Sequence, residues 1–132
     1  MLRILFWNVD KKNLTDLVCS MADAVSADVI VLNENVVASS HTLTALQSRV
    51  SRAFHIPSTT SDKRFHCFSR DRNLDLTEVH SGFRTSVRAL RVDGKAALLG
   101  LVHGVDLRNY DSATRQSSAQ LVATEVRFVK QQ

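Results

Sequence analysis

Two apolar segments separated by one amphipathic helix open the chain, and this pattern restricts the fold more than any other feature. Residues 2–9 and 29–32 are rich in aliphatic and aromatic side chains on both faces, as strands buried on both sides are. Between them, apolar residues recur at helical spacing after Asn13, which can cap the helix, and Asp16 lies near its positive end. The predicted apolar positions of this helix are Leu14, Leu17, Val18, Met21, Ala22 and Val25. A strand–helix–strand unit this short has a right-handed crossover, which predicts two parallel strands.

The pattern changes after a second helix. That helix is predicted over residues 41–54, with Ser39 or Ser40 as its cap, inward-facing Leu43, Leu46 and Val50, and Pro57 after its end. Residues 56–63 are polar and typical of a loop.

Four predicted strands then follow one another without an intervening helix, and a last helix is expected over residues 112–129. The strands are predicted over residues 64–70, 74–80, 83–92 and 95–105. They form an antiparallel meander, in which the turn at residues 71–73 would place His66 opposite Glu78.

The dipeptide Asp93-Gly94 is the strongest turn signal in the chain, because a two-residue hairpin turn needs positive φ at both positions. It pairs Val92 with Lys95 and, further along, Arg84 with His103. Arg84, Ser86, Arg88 and His103 then share one face of the hairpin. The other face, with Val87, Ala89, Leu98 and Val102, is the more apolar one.

These elements predict an α/β fold: a mixed β-sheet with a βαβ start and an antiparallel meander, with helices on one face. The 132 residues, 44% hydrophobic and 23% charged, suit a single domain over residues 1–132. Four glycines and one proline are too few for a disordered or collagen-like chain. A flavodoxin-like regulatory domain is an alternative that would require an all-parallel sheet.

Charge and cysteine content restrict partners and location. The net charge of +4 is compatible with a phosphate-rich partner but is also typical of a solvated surface. Cys19 and Cys67 form neither a disulfide framework nor a zinc-ligand pattern, which favours reduced thiols in a cytoplasmic protein. The longest apolar run, residues 96–102, is too short to span a membrane, and the chain does not start with a signal-peptide pattern.

Polar side chains terminate both predicted parallel strands. Asn8 follows the first apolar run and Glu34 follows the second. Ligands of α/β sheets collect at the carboxyl ends of parallel strands, and a half-buried carboxylate there needs a partner or a cation. Lys11 and Lys12 are the nearest basic residues, but they start a helix that can point away. Glu34 therefore has two interpretations, a hydrated carboxylate or a ligand of Mg²⁺, which needs few carboxylates when water and substrate phosphate complete its shell.

Three segments together resemble the endonuclease/exonuclease/phosphatase superfamily, which includes deoxyribonucleases, abasic-site endonucleases and inositol-polyphosphate phosphatases. The run RILFWNV at residues 3–9 is similar to the family's first strand, and DVIVLNE at 28–34 to its second, which ends in the metal-binding glutamate. LGLVH at 99–103 is similar to a later strand of the family that ends in a histidine. Arg115-Gln116, in the last predicted helix, also resembles a position known from the family. Asn33 stands where the family usually has glutamine.

The resemblance implies a metal-dependent phosphodiesterase or nuclease acting on nucleic acid or another phosphate ester. Glu34 would hold Mg²⁺, with Mn²⁺ as an alternative ion, and Asn8 would hydrogen-bond near the metal or the scissile phosphate. His103 would act on the phosphate as an electrostatic stabiliser or proton carrier. Arg84, which the hairpin register places beside His103, would bind the substrate phosphate.

Two family motifs are missing from these residues. Family members are considerably longer, and their second half carries a Gly-Asp-Phe-Asn-like motif and a terminal Asp-His pair, neither of which occurs here. The chain therefore resembles the first half of a four-layer α/β sandwich. We expect activity to require a second half-domain, and a second chain or a second copy to cover the sheet face left open. The alternative function is a non-catalytic, degenerate half-domain that acts as a binding or assembly module.

Overall fold

The computed structural model describes residues 1–51, 53–57, 64–74, 76–82, 84–104 and 111–130, and these form an α/β fold, as predicted. The described strands are β1 (Ile4–Asn8), β2 (Val29–Asn33), β3 (Phe65–Ser69), β4 (Thr77–Ser81), β5 (Thr85–Val92) and β6 (Lys95–Val102). The helices are α1 (Thr15–Ala24), α2 (Ser39–Arg49) and α3 (Ser112–Lys130), with a short 3₁₀ helix at Arg72–Leu74. The ends of two predicted strands, at Phe83 and Val105, and most of the predicted loop at 56–63 lie outside the described residues.

The strands are divided between two three-stranded sheets. Sheet A has the order β1-β2-β3, with β1 and β2 parallel, which confirms the predicted βαβ start. Sheet B has the order β4-β5-β6 and is antiparallel throughout. The meander is thus confirmed for β4 to β6, and the flavodoxin-like alternative, with its all-parallel sheet, is wrong.

The first predicted strand of the meander, β3, belongs to sheet A instead. It pairs antiparallel with β2, so His66 lies opposite Leu32, and its predicted pairing with Glu78 is wrong. The physical reason is burial on both faces: Phe65 and Cys67 contribute to one buried cluster and Phe68 to the other. Only the inner layer of the fold can cover both sides of such a strand.

Sheet A lies between helices α1 and α2 on one side and sheet B on the other. On one side, Ile30 and Leu32 pack with residues of α1 and α2. On the other side, Val29 and Val31 share a buried cluster with sheet B, whose members include Leu101. The sequence predicted that a second layer would come from another chain, yet part of that layer is sheet B of this chain.

Burial of the apolar strands on both faces is confirmed only for β2. All five of its residues are buried, whereas Ile4 and Phe6 of β1 are 40% and 48% exposed. In β6, Leu101 is buried while Leu98 is 56% exposed. Both strands lie at the edge of their sheets, where an apolar residue has neighbours on one side only.

The inner face of sheet B is the polar face of the predicted hairpin. Ser86 and Arg88 are fully buried there, with Arg88 Nε donating to Ser86 Oγ at 3.0 Å. Arg88 also lies 3.6 Å from the carboxylate of Glu78, which limits the cost of burying its charge. The more apolar face, with Leu98 and Val102, points away from sheet A and is exposed at these two residues.

The first helix buries a narrower face than its sequence predicts. Asn13 acts as expected, since its side-chain oxygen accepts the backbone N–H of Thr15 at 3.3 Å. The buried residues of α1 are Val18, Cys19 and Ala22. Leu17, Met21 and Val25, predicted as apolar positions of the same face, are each more than one-third exposed.

The second helix ends at Arg49, before the predicted residue 54. Gln47 Nε2 donates to the carbonyl of Phe54 at 3.2 Å, and His55 forms a bridge with Ser69 of β3. These bonds hold Phe54 and His55 against α2 and sheet A. Ser39 and Ser40 lie in the first turn of α2 rather than at its cap. The last helix, α3, matches its predicted bounds, and no helix in the described ranges is long and apolar enough to cross a membrane.

Candidate functional site

The ends of β1 and β2 form the base of the candidate site. Asn8 is the register partner of Asn33, and the Val9 N–H continues the ladder by donating to the Asn33 carbonyl at 3.0 Å. One step further, the Lys11 N–H donates to the Glu34 carbonyl, also at 3.0 Å. The segments that leave the two strands are therefore tied to each other, as the parallel pairing predicts.

Backbone strain is concentrated in these same segments. Asp10, Lys11 and Glu34 have φ values of 50°, 57° and 54°, in the left-handed region that non-glycine residues seldom occupy. Such conformations persist where surrounding contacts impose them, and they occur preferentially at functional positions. Here the hydrogen bond between Lys11 and Glu34 joins two of the three residues.

Asn8 directs its amide towards the carboxylate of Glu34. Its Oδ1 accepts the backbone N–H of Asp10 at 2.9 Å, which fixes the amide orientation. Its Nδ2 then donates to Glu34 Oε1 at 3.4 Å. The two residues singled out at the ends of the parallel strands are thus in contact.

His103 reaches the same carboxylate oxygen from sheet B. Its Nε2 lies 2.7 Å from Glu34 Oε1, and the two side chains are 26% and 22% exposed. At this distance the imidazole nitrogen donates a hydrogen bond, which is an ion pair when the ring is protonated. A partly exposed carboxylate and imidazole in direct contact can bind a cation or a phosphate and can transfer a proton.

Arg84 completes the set of predicted residues. The His103 N–H donates to the Arg84 carbonyl at 2.8 Å, which confirms the hairpin register deduced from Asp93-Gly94. The Arg84 guanidinium Nη1 lies 3.4 Å from the carbonyl of His103 and 3.5 Å from that of Gly104. All four predicted site residues therefore belong to one connected group of hydrogen bonds.

The donor chemistry of this group fits a magnesium ion held mainly by water and substrate. Glu34 supplies a carboxylate, but the described residues contain no cluster of three or more His, Cys, Asp or Glu that could enclose a metal. Asp10, two residues after Asn8, pairs with Lys12 at 3.2 Å. One carboxylate is sufficient for Mg²⁺ when phosphate oxygens and water supply the other ligands.

A second polar cluster, Asn35 with Ser39 and His66, borders the site, and the sequence analysis missed it. Asn35 Nδ2 and Ser39 Oγ lie 3.2 and 3.1 Å from His66 Nδ1. Burial lowers the pKa of His66, which favours a neutral ring that accepts these donors. No local pattern could have revealed the cluster, because it forms only when β3 pairs with β2.

Arg115 and Gln116, which the sequence analysis also compared with the family, have no contact with the site among the described residues. The bonds of Arg115 are local: it donates to the Asp111 carbonyl and to Ser112 Oγ within its own segment.

Comparison with known proteins does not assign the chain to a family. No family model matches the chain, and no curated protein is significantly similar to it. Evidence for function therefore comes from the residues themselves and from the resemblance in their sequence.

Proposed function

We propose that this chain is half of a magnesium-dependent phosphodiesterase domain, which hydrolyses nucleic acid or another phosphate ester when a second half-domain completes it. One observation carries the proposal: Asn8 and His103, from two separate segments, converge on one carboxylate oxygen of Glu34, which belongs to a third. Sequence neighbours do not impose this convergence. It requires both sheets to be in place.

The roles follow from the chemistry of each group. Glu34 would hold Mg²⁺, or Mn²⁺ as an alternative, and the ion would stabilise charge on the phosphate oxygens. Asn8 orients the carboxylate through its amide. His103 and Arg84 supply an imidazole and a guanidinium, which can offset charge that develops on phosphorus-bound oxygens.

In this proposal, the second half-domain supplies groups that the described bonds of the site do not include. Within the described ranges, no carboxylate other than Glu34 bonds to the side chain of Asn8 or of His103. The base that activates water and further phosphate ligands would come from a second chain or a second copy. The buried thiols Cys19 and Cys67 favour a reducing compartment, so we propose a cytoplasmic location.

The alternative function is a non-catalytic module that binds a partner. It is favoured by the 2.7 Å contact of His103 with Glu34, which can act as a purely structural link between the sheets. The two functions differ in whether a divalent cation binds at Glu34.

The experiment combines metal binding with hydrolysis. Mn²⁺ binding is measured by electron paramagnetic resonance for the wild type, Glu34→Gln and, as a matched control, Asp16→Asn, whose side chain is 82% exposed. Hydrolysis of bis(p-nitrophenyl) phosphate is then followed with Mg²⁺, for the chain alone and mixed with a candidate second half.

We expect Glu34→Gln to abolish both signals and Asp16→Asn to retain both. Hydrolysis that survives Glu34→Gln unchanged would contradict the metal role. Absence of both Mn²⁺ binding and hydrolysis in the wild type would favour the non-catalytic module.

A further inference from the structure

We propose that the outer edge of β6 pairs antiparallel with the same edge of a second copy of this chain, so that two copies of sheet B form one continuous sheet. This proposal does not depend on the proposed function, because it concerns strand pairing at the edge of sheet B.

The backbone of β6 presents unused hydrogen-bonding groups on one side. In the β5–β6 register, the His103 N–H donates to Arg84, so alternate residues back along β6 bond to β5 in the same way. The residues between them direct their N–H and C=O groups to the outer edge. These are Ala96, Leu98, Gly100 and Val102. Within the described part of the chain, no strand pairs with this edge.

The other edge strands are shorter than β6, and two of them are interrupted or partly bridged. β4 has a bulge between Glu78 and His80 and bears polar residues along its length. The edge of β3 is bridged by His55, and β1 is only five residues long and follows Arg3. Bulges, charges and short length are the usual means by which proteins protect sheet edges.

The β6 edge has none of these protections. Its register with β5 runs without a bulge from Lys95 to Val102, and residues 96–102 contain no charged side chain. Leu98 and Val102 are 56% and 42% exposed. A long, regular, uncharged edge of this kind is a template for pairing with another strand.

A second copy suits this edge because the strand is complementary to itself. Antiparallel pairing around a two-fold axis near residues 98–100 places the two Lys95 side chains at opposite ends of the interface, so like charges do not meet. The four outward-facing residues of each copy can form about eight backbone hydrogen bonds in total. The exposed Leu98 and Val102 of one copy then lie beside apolar residues of the other, and the two-fold arrangement limits assembly to a dimer.

The test is the mass of the full chain in solution, measured by sedimentation velocity over a range of concentrations. Leu98→Lys adds one charge per copy close to the two-fold axis, and Val79→Lys is the matched control on the other edge strand, since Val79 is 51% exposed. We expect a dimer for the wild type and Val79→Lys, and a dissociation constant raised at least about tenfold for Leu98→Lys. Circular dichroism verifies that both variants fold.

Cysteine variants then locate the interface between the two copies. A mixture of Leu98→Cys and Gly100→Cys chains should form an intermolecular disulfide on mild oxidation, because the two-fold axis places residue 98 of one copy opposite residue 100 of the other, and Val79→Cys should not form one. A monomeric wild type, a dimer indifferent to Leu98→Lys, or assemblies that grow beyond a dimer would each overturn the proposal.

Discussion

The imidazole of His103 and the carboxylate of Glu34 lie 2.7 Å apart although they belong to different sheets. Glu34 follows β2 in sheet A, and His103 follows β6 in sheet B. The candidate site is therefore assembled by the packing of one sheet on the other, and its geometry depends on the buried cluster between them.

The first prediction concerns that cluster. Leu101, two residues before His103, is 3% exposed and packs with Val29 and Val31 of sheet A. We expect Leu101→Ala to lower the free energy of unfolding by about 2–4 kcal/mol, because it leaves a cavity between the sheets. Leu17→Ala on α1, where Leu17 is 47% exposed, should cost less than about 1 kcal/mol. Urea denaturation measures both, and equal losses would contradict the packing described here.

The second prediction concerns the strained backbone of Glu34. At φ 54°, a side chain with a Cβ costs about 1 kcal/mol relative to glycine. Both Glu34→Ala and Glu34→Gly remove the carboxylate, so their difference isolates the backbone. We expect the glycine variant to be more stable than the alanine variant by about 1 kcal/mol in denaturant unfolding. An alanine variant at least as stable as the glycine variant would show that the left-handed conformation is not strained.

The sequence predicted local pairing well wherever a turn or a short crossover determined it. The Asp93-Gly94 turn fixed the whole β5–β6 register, and with it the position of His103 next to Arg84. The contact of Asn8 with Glu34 followed from the parallel pairing of β1 and β2.

The sequence predicted poorly what depends on distant partners. The short spacing between β3 and β4 favours a hairpin, but the double-sided burial of Phe65, Cys67 and Phe68 outweighs it and brings β3 to β2. Helical spacing likewise could not show that Leu17 and Met21 of α1 lie outside the area that sheet A covers. The function of the site and its metal remain proposals.

The third prediction tests the metal role of the Asn8–Glu34 pair by adding charge. Asn8→Asp would place a second carboxylate next to Glu34, where the amide Nδ2 now lies 3.4 Å from Oε1. Two adjacent carboxylates bind divalent cations more tightly than one, so the affinity for Mn²⁺ should rise at least about tenfold. Without metal, mutual repulsion should lower stability slightly.

Asn8→Ala is the control for this change, because it removes the amide without adding charge. Titration of both variants with Mn²⁺, followed by electron paramagnetic resonance, measures the affinities. Equal affinities for Asn8→Asp and Asn8→Ala would be inconsistent with a cation site at the end of β1.

The last prediction concerns pH and the cluster around His66. Burial lowers the pKa of His66 from its ordinary value of 6.5, and burial followed by the charge of Arg72 lowers the pKa of His55. A histidine with a lower pKa in the folded state binds protons more readily when the chain is unfolded. Its stabilising contribution is therefore complete above pH 6.5 and is lost as the pH falls from there towards the folded pKa.

Protonation of His66 also places a proton on Nδ1, which now accepts from Ser39 and faces the amide of Asn35. We expect the free energy of unfolding to decrease between about pH 7 and about pH 5, and His66→Gln to reduce that decrease. Urea unfolding at each pH measures the slope, and the imidazole proton shifts of His66 in NMR give its midpoint. A midpoint above 6.5 would reverse the sign of this contribution, since the folded chain would then bind the proton more tightly than the unfolded chain.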